Sequence, residues 1–354
     1  MKIGIISIGD YRHITLISKY TSYFDEKRIP YDVICTDRYA DPIEKNNVFQ
    51  YAMPRTVSKL DKVQSFIAFK KWAQRLIIQN HYDFLVVWNE NTALLFSDFL
   101  LRKYKGRYCV NIRDVDFLYQ TILNVIRGKV IMNSSFSTYC SKARLNFPKG
   151  YKYVLMRSMN LDVLKHVKKR ETIRSESEPI RIVFIGKVRF FDADKELIQA
   201  FGNDKRYEIW YIGAGSENLD YLREKYSNLF LIGKYAPDET AKYLEMADVI
   251  NSYFGTKVLG YERMSSIRFS YAPYIHIPVI VGSNTNMEEE GNTYGFAYGF
   301  GAVECENEAD AFYKWYRNID SSKFIEGCEK YCSDIYETDF IFYETLAKKL
   351  EEFR

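Results

Sequence analysis

Two series of short apolar strands alternating with amphipathic helices, parted by one charged stretch, constrain this chain more than any other feature. In the first series Lys2 to Ser7, Tyr31 to Thr36, Phe84 to Trp88, Arg107 to Ile112, Lys129 to Met132 and Tyr151 to Leu155 read as strands. Helices are expected over Thr15 to Phe24, Ser58 to Gln79 and Thr92 to Tyr104, the second with Phe66, Phe69, Trp72 and Leu76 on one face. Residues 165–179 (KHVKKRETIRSESEP) lack apolar periodicity and read as a solvated connector, or alternatively as a basic membrane-contact patch. The second series has strands at Ile180 to Ile185, Tyr207 to Ile212, Leu229 to Ile232, Val249 to Tyr253 and Val279 to Val281. Its helices are expected over Asp194 to Phe201, Leu219 to Tyr226, Thr240 to Met246 and Ile267 to Tyr274. Three more close the chain near Ala309 to Asn318, Phe324 to Tyr331 and Ile341 to Phe353.

Alternation of this kind means parallel strands covered by helices on both faces. The fold class is therefore α/β, with two Rossmann-like, doubly wound domains. Residues 1–164 form the first, 165–179 the linker and 180–335 the second, with a C-terminal helix over 336–354 crossing back onto the first. A length of 354 residues also predicts two domains. Such sheets place ligands beyond the carboxyl ends of their strands, so a cleft between the domains is the expected site.

Composition narrows the partners. The 50 basic and 46 acidic residues leave a net charge of +4, which supplies no global field for nucleic acid. A pI near 8.5 is compatible with visiting an anionic membrane surface. No run of some 18 apolar residues occurs and MKIGIISIGD is too short for a leader, so the expectation is a cytoplasmic protein, peripheral at most to the membrane. Four scattered His and six isolated or unpaired Cys supply no ligand set for a structural metal, and none is expected.

Glycine turns carry the strongest chemical signal. Strand IRIVFI ends in Gly186, followed by Lys187 and Arg189; YEIWYI ends in Gly213-Ala214-Gly215; LFLI ends in Gly233. A glycine lets the backbone turn tightly and turn its N–H groups to a phosphate, and cations beside the first turn can neutralise a diphosphate. Arg268 stands in the opening turn of the helix before Val279 to Val281. It is either an anion ligand at a helix N-terminus or a surface Arg holding a carboxylate. Asp192-Ala193-Asp194 has the letters of a metal-holding motif but reads as an N-cap with extra acid at a helix start. No obligatory metal or other cofactor is expected.

The run from IRIVFIGKVR through YEIWYIGAGSENLDYL and LFLIGKYAPDETAKYLEMADVINSYF to IPVIV resembles the donor domain of bacterial GT-B glycosyltransferases. The retaining group of capsular and exopolysaccharide sugar transferases (family 4-like) is the one meant, and the likeness is clearest over residues 180–299. It implies a nucleotide-sugar donor, a UDP-sugar foremost, and a glycan or lipid-linked glycan acceptor. Lys187 and Arg268 fall where the family holds the donor diphosphate, with Arg189 nearby, and Tyr235 falls where it meets the base. Gly186, Gly213 and Gly215 complete the donor set. One departure stands out. Better-known members carry a Glu pair before the IPVIV-like strand, but the corresponding positions here are Arg263 and Tyr271. Glu262, one position off, is the catalytic candidate that remains there, and Glu288 or Glu289 could supply a replacement carboxylate.

The first half is similar to the acceptor domain of capsule enzymes through MKIGIISIG, VNIRD and the SMN before Leu161. Gly9, Asp10, Arg12 and His13 follow its first strand, and Arg113, Asp114 and Asn160 end later segments. Asp114 is a candidate general base if the enzyme inverts; a structural Arg113–Asp114 turn is the plain alternative. Two rival readings remain: a sugar-nucleotide epimerase of the same architecture, and a catalytically silent partner that binds a sugar nucleotide or another transferase.

Overall fold

The computed structural model describes residues 1–14, 16–38, 40, 42–54, 58–113, 122–140, 151, 153–172, 179–255 and 265–353. The chain divides into two units, Met1–Arg157 with Glu337–Arg354, and Ser158–Tyr336.

The first unit is built on seven parallel strands: β1 (Ile3–Asp10), β2 (Tyr31–Asp37), β3 (Val48–Ala52), β4 (Phe84–Trp88), β5 (Tyr108–Ile112), β6 (Phe136–Tyr139) and β7 (Tyr153–Leu155). Their order, β3-β2-β1-β4-β5-β6-β7, reverses direction at β1, so the topological switch lies between β1 and β4. β4 and β5 are buried along their whole length, as their unbroken apolar runs require of central strands. One face is covered by α2 (Lys59–Asn80), α3 (Glu90–Leu95), α4 (Ser97–Lys103) and α5 (Ile122–Met132), which share a core through Phe69, Ala73, Phe96, Leu100 and Val130. Against α1 (Ser18–Glu26) lies the end of the last helix, α12 (Ser321–Glu351). Tyr20 meets Phe342 edge-on at 5.1 Å and Tyr23 stacks on Tyr343 at 5.5 Å.

Three expectations fail in this unit. The Lys129 to Met132 run is the last turn of α5, where Val130 and Ile131 complete a helical apolar face; the strand is Phe136–Tyr139 instead. The helix expected over Thr92 to Tyr104 is two helices meeting at Phe96, whose ring is fully buried. On α2 the inward face is Ser65, Phe69, Ala73 and Ile77, while Phe66, Trp72 and Leu76 are half-buried on its shoulders.

The second unit repeats the plan with six parallel strands: β8 (Ile180–Ile185), β9 (Tyr207–Ile212), β10 (Leu229–Ile232), β11 (Val249–Asn251), β12 (Val279–Gly282) and β13 (Ala297–Phe300). The order β10-β9-β8-β11-β12-β13 puts its switch between β8 and β11. Its helices are α6 (Leu161–Leu164), α7 (Phe191–Phe201), α8 (Thr240–Met246), α9 (Ile267–Tyr274), α10 (Asn286–Tyr294), α11 (Glu308–Arg317) and the first half of α12. The helix expected over Leu219 to Tyr226 is a 3-10 turn at Ser216–Leu222. The last two expected helices are one continuous element of 31 residues, because Cys328, Tyr331, Cys332, Ile335, Phe342, Leu346 and Leu350 keep a helical buried stripe through the polar stretch between them. The first residues of the charged run, 165–170, are held rather than loose. Val167 is buried, and the Arg170 guanidinium donates to Ala247 O and pairs with Asp248 Oδ1, each at 2.8 Å.

Candidate functional site

At the switch of the second unit the strand-end turns pack backbone against backbone. Gly186 leaves β8 at φ 123° with its N–H on Ile212 O at 2.8 Å, and Gly213 leaves β9 at φ 140° with its N–H on Ile232 O at 2.8 Å. A Cβ on Gly213 would stand 2.0 Å from Gly186 O, and one on Gly215 (φ 98°) 2.3 Å from Val188 O. Only glycine satisfies both the conformation and the space. Gly233 differs: its φ is ordinary and nothing lies within 4 Å of a Cβ there.

Beside Gly186 stands Arg268, the second residue of α9. Ser266 caps this helix, its Oγ accepting from Phe269 N at 3.1 Å and lying 2.6 Å from Ser252 Oγ beyond β11. The Arg268 side chain is only 9% exposed, with its guanidinium 3.9 Å over the Phe184 ring. One terminal nitrogen donates to Ile185 O at 3.2 Å, while Nε has no hydrogen-bond partner. Burial lowers its pKa to about 10, Asp194 opposes that shift and Arg189 adds to it, so the group is a cation at neutral pH.

Asp194 is not the expected cap. The N-cap of α7 is Phe190, and Asp194 sits in the first turn with its carboxylate buried at 1% exposure. Neither carboxylate oxygen has a hydrogen-bond partner of normal geometry; the Tyr211 hydroxyl donates to the Asp194 carbonyl instead, at 3.4 Å. Burial raises this carboxyl to about 7, against the restraining pull of Tyr211 and Arg268.

The other residues read from the sequence as donor-binding are less enclosed. Lys187 is exposed and makes no ion pair among the described residues; Arg189 is exposed with its guanidinium 5.1 Å over Phe190. Tyr235, half-buried, meets Tyr243 edge-on at 5.3 Å and lies within the field of Arg268. Glu288 is engaged locally. Its carboxylate accepts from Asn284 N at 2.7 Å and occupies the space beside Gly299, where a Cβ would lie 1.8 Å from Oε1.

In the first unit the carboxyl end of β1 is tied down by Ile8 N donating to Thr92 Oγ1 at 3.1 Å and Gly9 N to Ser7 Oγ at 3.0 Å. Asp10 is buried and accepts from Arg12 N at 3.0 Å, capping the turn Tyr11–His13; Arg12 itself is exposed. Arg113 follows β5, its carbonyl accepting from the Cys140 thiol at 3.0 Å, and its charge is felt by Lys19 and Tyr20. Asn160 belongs to the second unit and caps α6 by accepting from Asp162 N at 3.1 Å. Asp114 and Glu262, the two catalytic candidates, lie outside the described residues.

The sequence matches no protein-family model and no curated protein. Solved structures do match. Sucrose-phosphate synthase from Thermosynechococcus elongatus superposes with a TM-score of 0.75 at 12% identity, over 99% of both chains. HepE from Anabaena, solved in complex with UDP and glucose, gives 0.68 at 12%, over 98% of this chain and 100% of its own. A putative UDP-N-acetylglucosamine 2-epimerase from Listeria monocytogenes gives 0.59 at 11%, over 92% and 90%. The chain has the GT-B fold. At such identities the likeness is one of fold.

Within this GT-B chain, Gly186, Gly213, Gly215, Arg268, Arg189 and Tyr235 gather at the strand ends of the second unit. Glu288 and Asn160 are engaged by their own helices. Two buried charges escaped the sequence reading. Asp194 was visible only as one letter of an acidic helix start. Lys19, whose Nζ lies 2.5 Å from Asp339 Oδ1, had no visible signal, since its partner is 320 residues away. Among the described residues no group of three or more His, Cys, Asp or Glu could hold a metal, and no helix is long and apolar enough to cross a membrane.

Proposed function

We propose that this chain is a glycosyltransferase whose UDP-sugar donor seats its diphosphate at the strand ends of the second unit. The carrying observation is Arg268: a nearly buried cation beside the Gly186 turn, with an Nε–H that the protein leaves unpaired. A buried, incompletely bonded guanidinium is costly unless a ligand completes it, and its planar fork suits a diphosphate. Lys187 and Arg189 reach the same turn from solvent, and Tyr235 offers a ring face to the nucleoside.

The chemistry follows from charge. As the sugar–phosphate bond breaks, negative charge grows on the leaving UDP, and a preorganised cation in a low-dielectric setting stabilises that charge most. Cations suffice for this, so no metal is required. We assign Asp10, Arg12, His13 and Arg113, with Gly9 and Asn160, to the acceptor side. Asp114 is the candidate base for the acceptor hydroxyl, and Glu262 the candidate carboxylate on the donor side. The acceptor would be a glycan or lipid-linked glycan of capsule, exopolysaccharide or cell-wall assembly, met at the cytoplasmic face of the membrane. The likeness to HepE, solved with UDP and glucose, supports the donor.

A second reading, sugar-nucleotide epimerisation, is favoured by the likeness to the Listeria protein. It needs acid and base groups around the sugar. His276 does not supply them, because it precedes the amino end of β12, away from the carboxyl ends of the strands, between Arg170 O at 3.0 Å and Glu329 Oε1 at 2.7 Å. The test is thermal melting of the purified chain with UDP, UDP-glucose and UDP-N-acetylglucosamine, followed by turnover. Saturating ligand at a hundredfold above Kd adds about 2.7 kcal/mol. Metal-independent protection that Arg268→Ala abolishes, with UDP released only when a glycan acceptor is present, is the expected result. Interconversion of UDP-sugars without acceptor would establish the epimerase instead.

A further inference from the structure

We propose that the outer face of α2 docks the first unit onto an anionic lipid bilayer. The helix buries Ser65, Phe69, Ala73 and Ile77, so its opposite side should be polar. It is not. Leu60, Val63, Ile67 and Ile78 are 66%, 54%, 45% and 57% exposed. At 100° per residue these four fall within an arc of about 60°, in a row about 27 Å long. Half-buried Gln74 lies in the same arc, Lys71 about 20° past its edge, and Lys59 and Arg75 flank it.

Charge complementarity names the occupant. Lys59, Lys71 and Arg75 are exposed and make no ion pair among the described residues. The one acid on the helix, Asp61, is bound at its N-terminus by the Ser58 hydroxyl at 2.6 Å, and Lys70 is paired with Asp98 at 2.5 Å. An apolar row set among unpaired cations, with no free acid, suits a surface that offers acyl chains beneath anionic headgroups. Lysine stems add apolar area while their ammonium groups stay at headgroup level. A second copy of the chain meeting this face through a twofold axis would oppose like charges. A nucleic acid would answer the cations and leave the apolar row in water.

This inference extends the membrane-surface part of the reading above, but it needs no sugar donor, so the two can fail separately. The full chain is sedimented with vesicles of phosphatidylcholine alone and with about one third phosphatidylglycerol. Binding to the mixed vesicles only is expected, weakened by raising NaCl from about 0.1 to 0.5 M. Leu60→Glu with Ile67→Glu should lower partitioning at least about tenfold. Lys59→Glu with Lys71→Glu should do so by a similar factor, by removing attraction to the headgroups. Melting curves with and without UDP show that the variants are folded and their donor site intact. Wild-type protein left in the supernatant, or variants that pellet like wild type, would overturn the proposal. So would a dimer that the Glu variants dissolve, which would mark the face as a contact between copies. Vesicle binding without any UDP protection would count against the transferase reading and support this one.

Discussion

The two units share a parallel sheet with one reversal of strand order, and they treat buried charge at their strand ends in opposite ways. In the first unit the buried charges there have protein partners, although Asn111 near the end of β5 keeps both side-chain polar atoms, and Arg38 its Nε, without a hydrogen bond. Ile8 O accepts from Thr36 Oγ1 at 3.0 Å and Arg38 at 2.9 Å, Asp10 caps its own turn, and Lys19 pairs with Asp339 from α12. In the second unit Arg268 keeps an unpaired Nε beside Gly186, and the Asp194 carboxylate has no hydrogen bond of normal geometry. A buried charge with a close partner holds elements together; one left incomplete calls for an explanation, and the proposed donor diphosphate is the one offered here.

That contrast can be broken experimentally, beginning where the effect is largest. Lys19→Met leaves Asp339 buried without its nearest cation and should cost about 3–5 kcal/mol in urea unfolding. Burial lowers the Lys19 pKa and raises that of Asp339 despite their mutual attraction, so the pair holds the helix at a net desolvation cost. Replacing both, with Lys19→Met and Asp339→Leu, should therefore recover most of the loss. If the single variant is as stable as wild type, the pair is not structural.

Gly213→Ala should cost about 3 kcal/mol, since its Cβ meets Gly186 O and its φ is disfavoured for any side chain. In the first unit Gly9→Ala should cost less than about 1 kcal/mol, because Gly9 has no left-handed backbone and its Cβ would meet only Ser7 Oγ at 3.2 Å. Equal losses would mean that close backbone packing is not particular to the second unit.

Arg268→Ala should weaken UDP binding about a hundredfold, or about 2.7 kcal/mol by calorimetry, and Arg268→Lys should not restore it. Arg12→Ala should leave UDP affinity within about twofold, as the exposed cation of the other unit. A comparable loss from Arg12 would move the diphosphate away from the second unit.

A smaller effect concerns pH. The Asp194 carboxyl titrates near 7 in the folded chain, above its unfolded value, so the folded state holds the proton more tightly. The stability this contributes is fully present below about pH 4 and is lost as pH rises through about 7. Asp194→Asn should remove about 2 kcal/mol of the stability decline between pH 5 and 8, read from urea midpoints. An unchanged slope would mean that the carboxylate is solvated.

The legible parts of this protein were the local ones. Apolar runs such as FLVVW and IRIVFI are buried strands because no other arrangement hides them, and the glycines ending YEIWYI are required where the chain adopts φ of 140° and 98°. Arg268 was visible as the cation of a helix start, though not as a buried one. KVIM reads as a strand and folds as a helix end because three apolar residues in a row suit either equally well. Val48–Ala52, an edge strand of half-buried residues, carries no apolar alternation to find.

Sequence alone determined the two parallel α/β units and the glycine turns that end their strands, because periodicity and φ depend only on residues near one another. Tertiary structure decided which charges are buried, which face of α2 meets water, and that α12 runs unbroken to place Asp339 against Lys19. Those outcomes depend on which surface a distant segment covers, and 320 residues separate that pair.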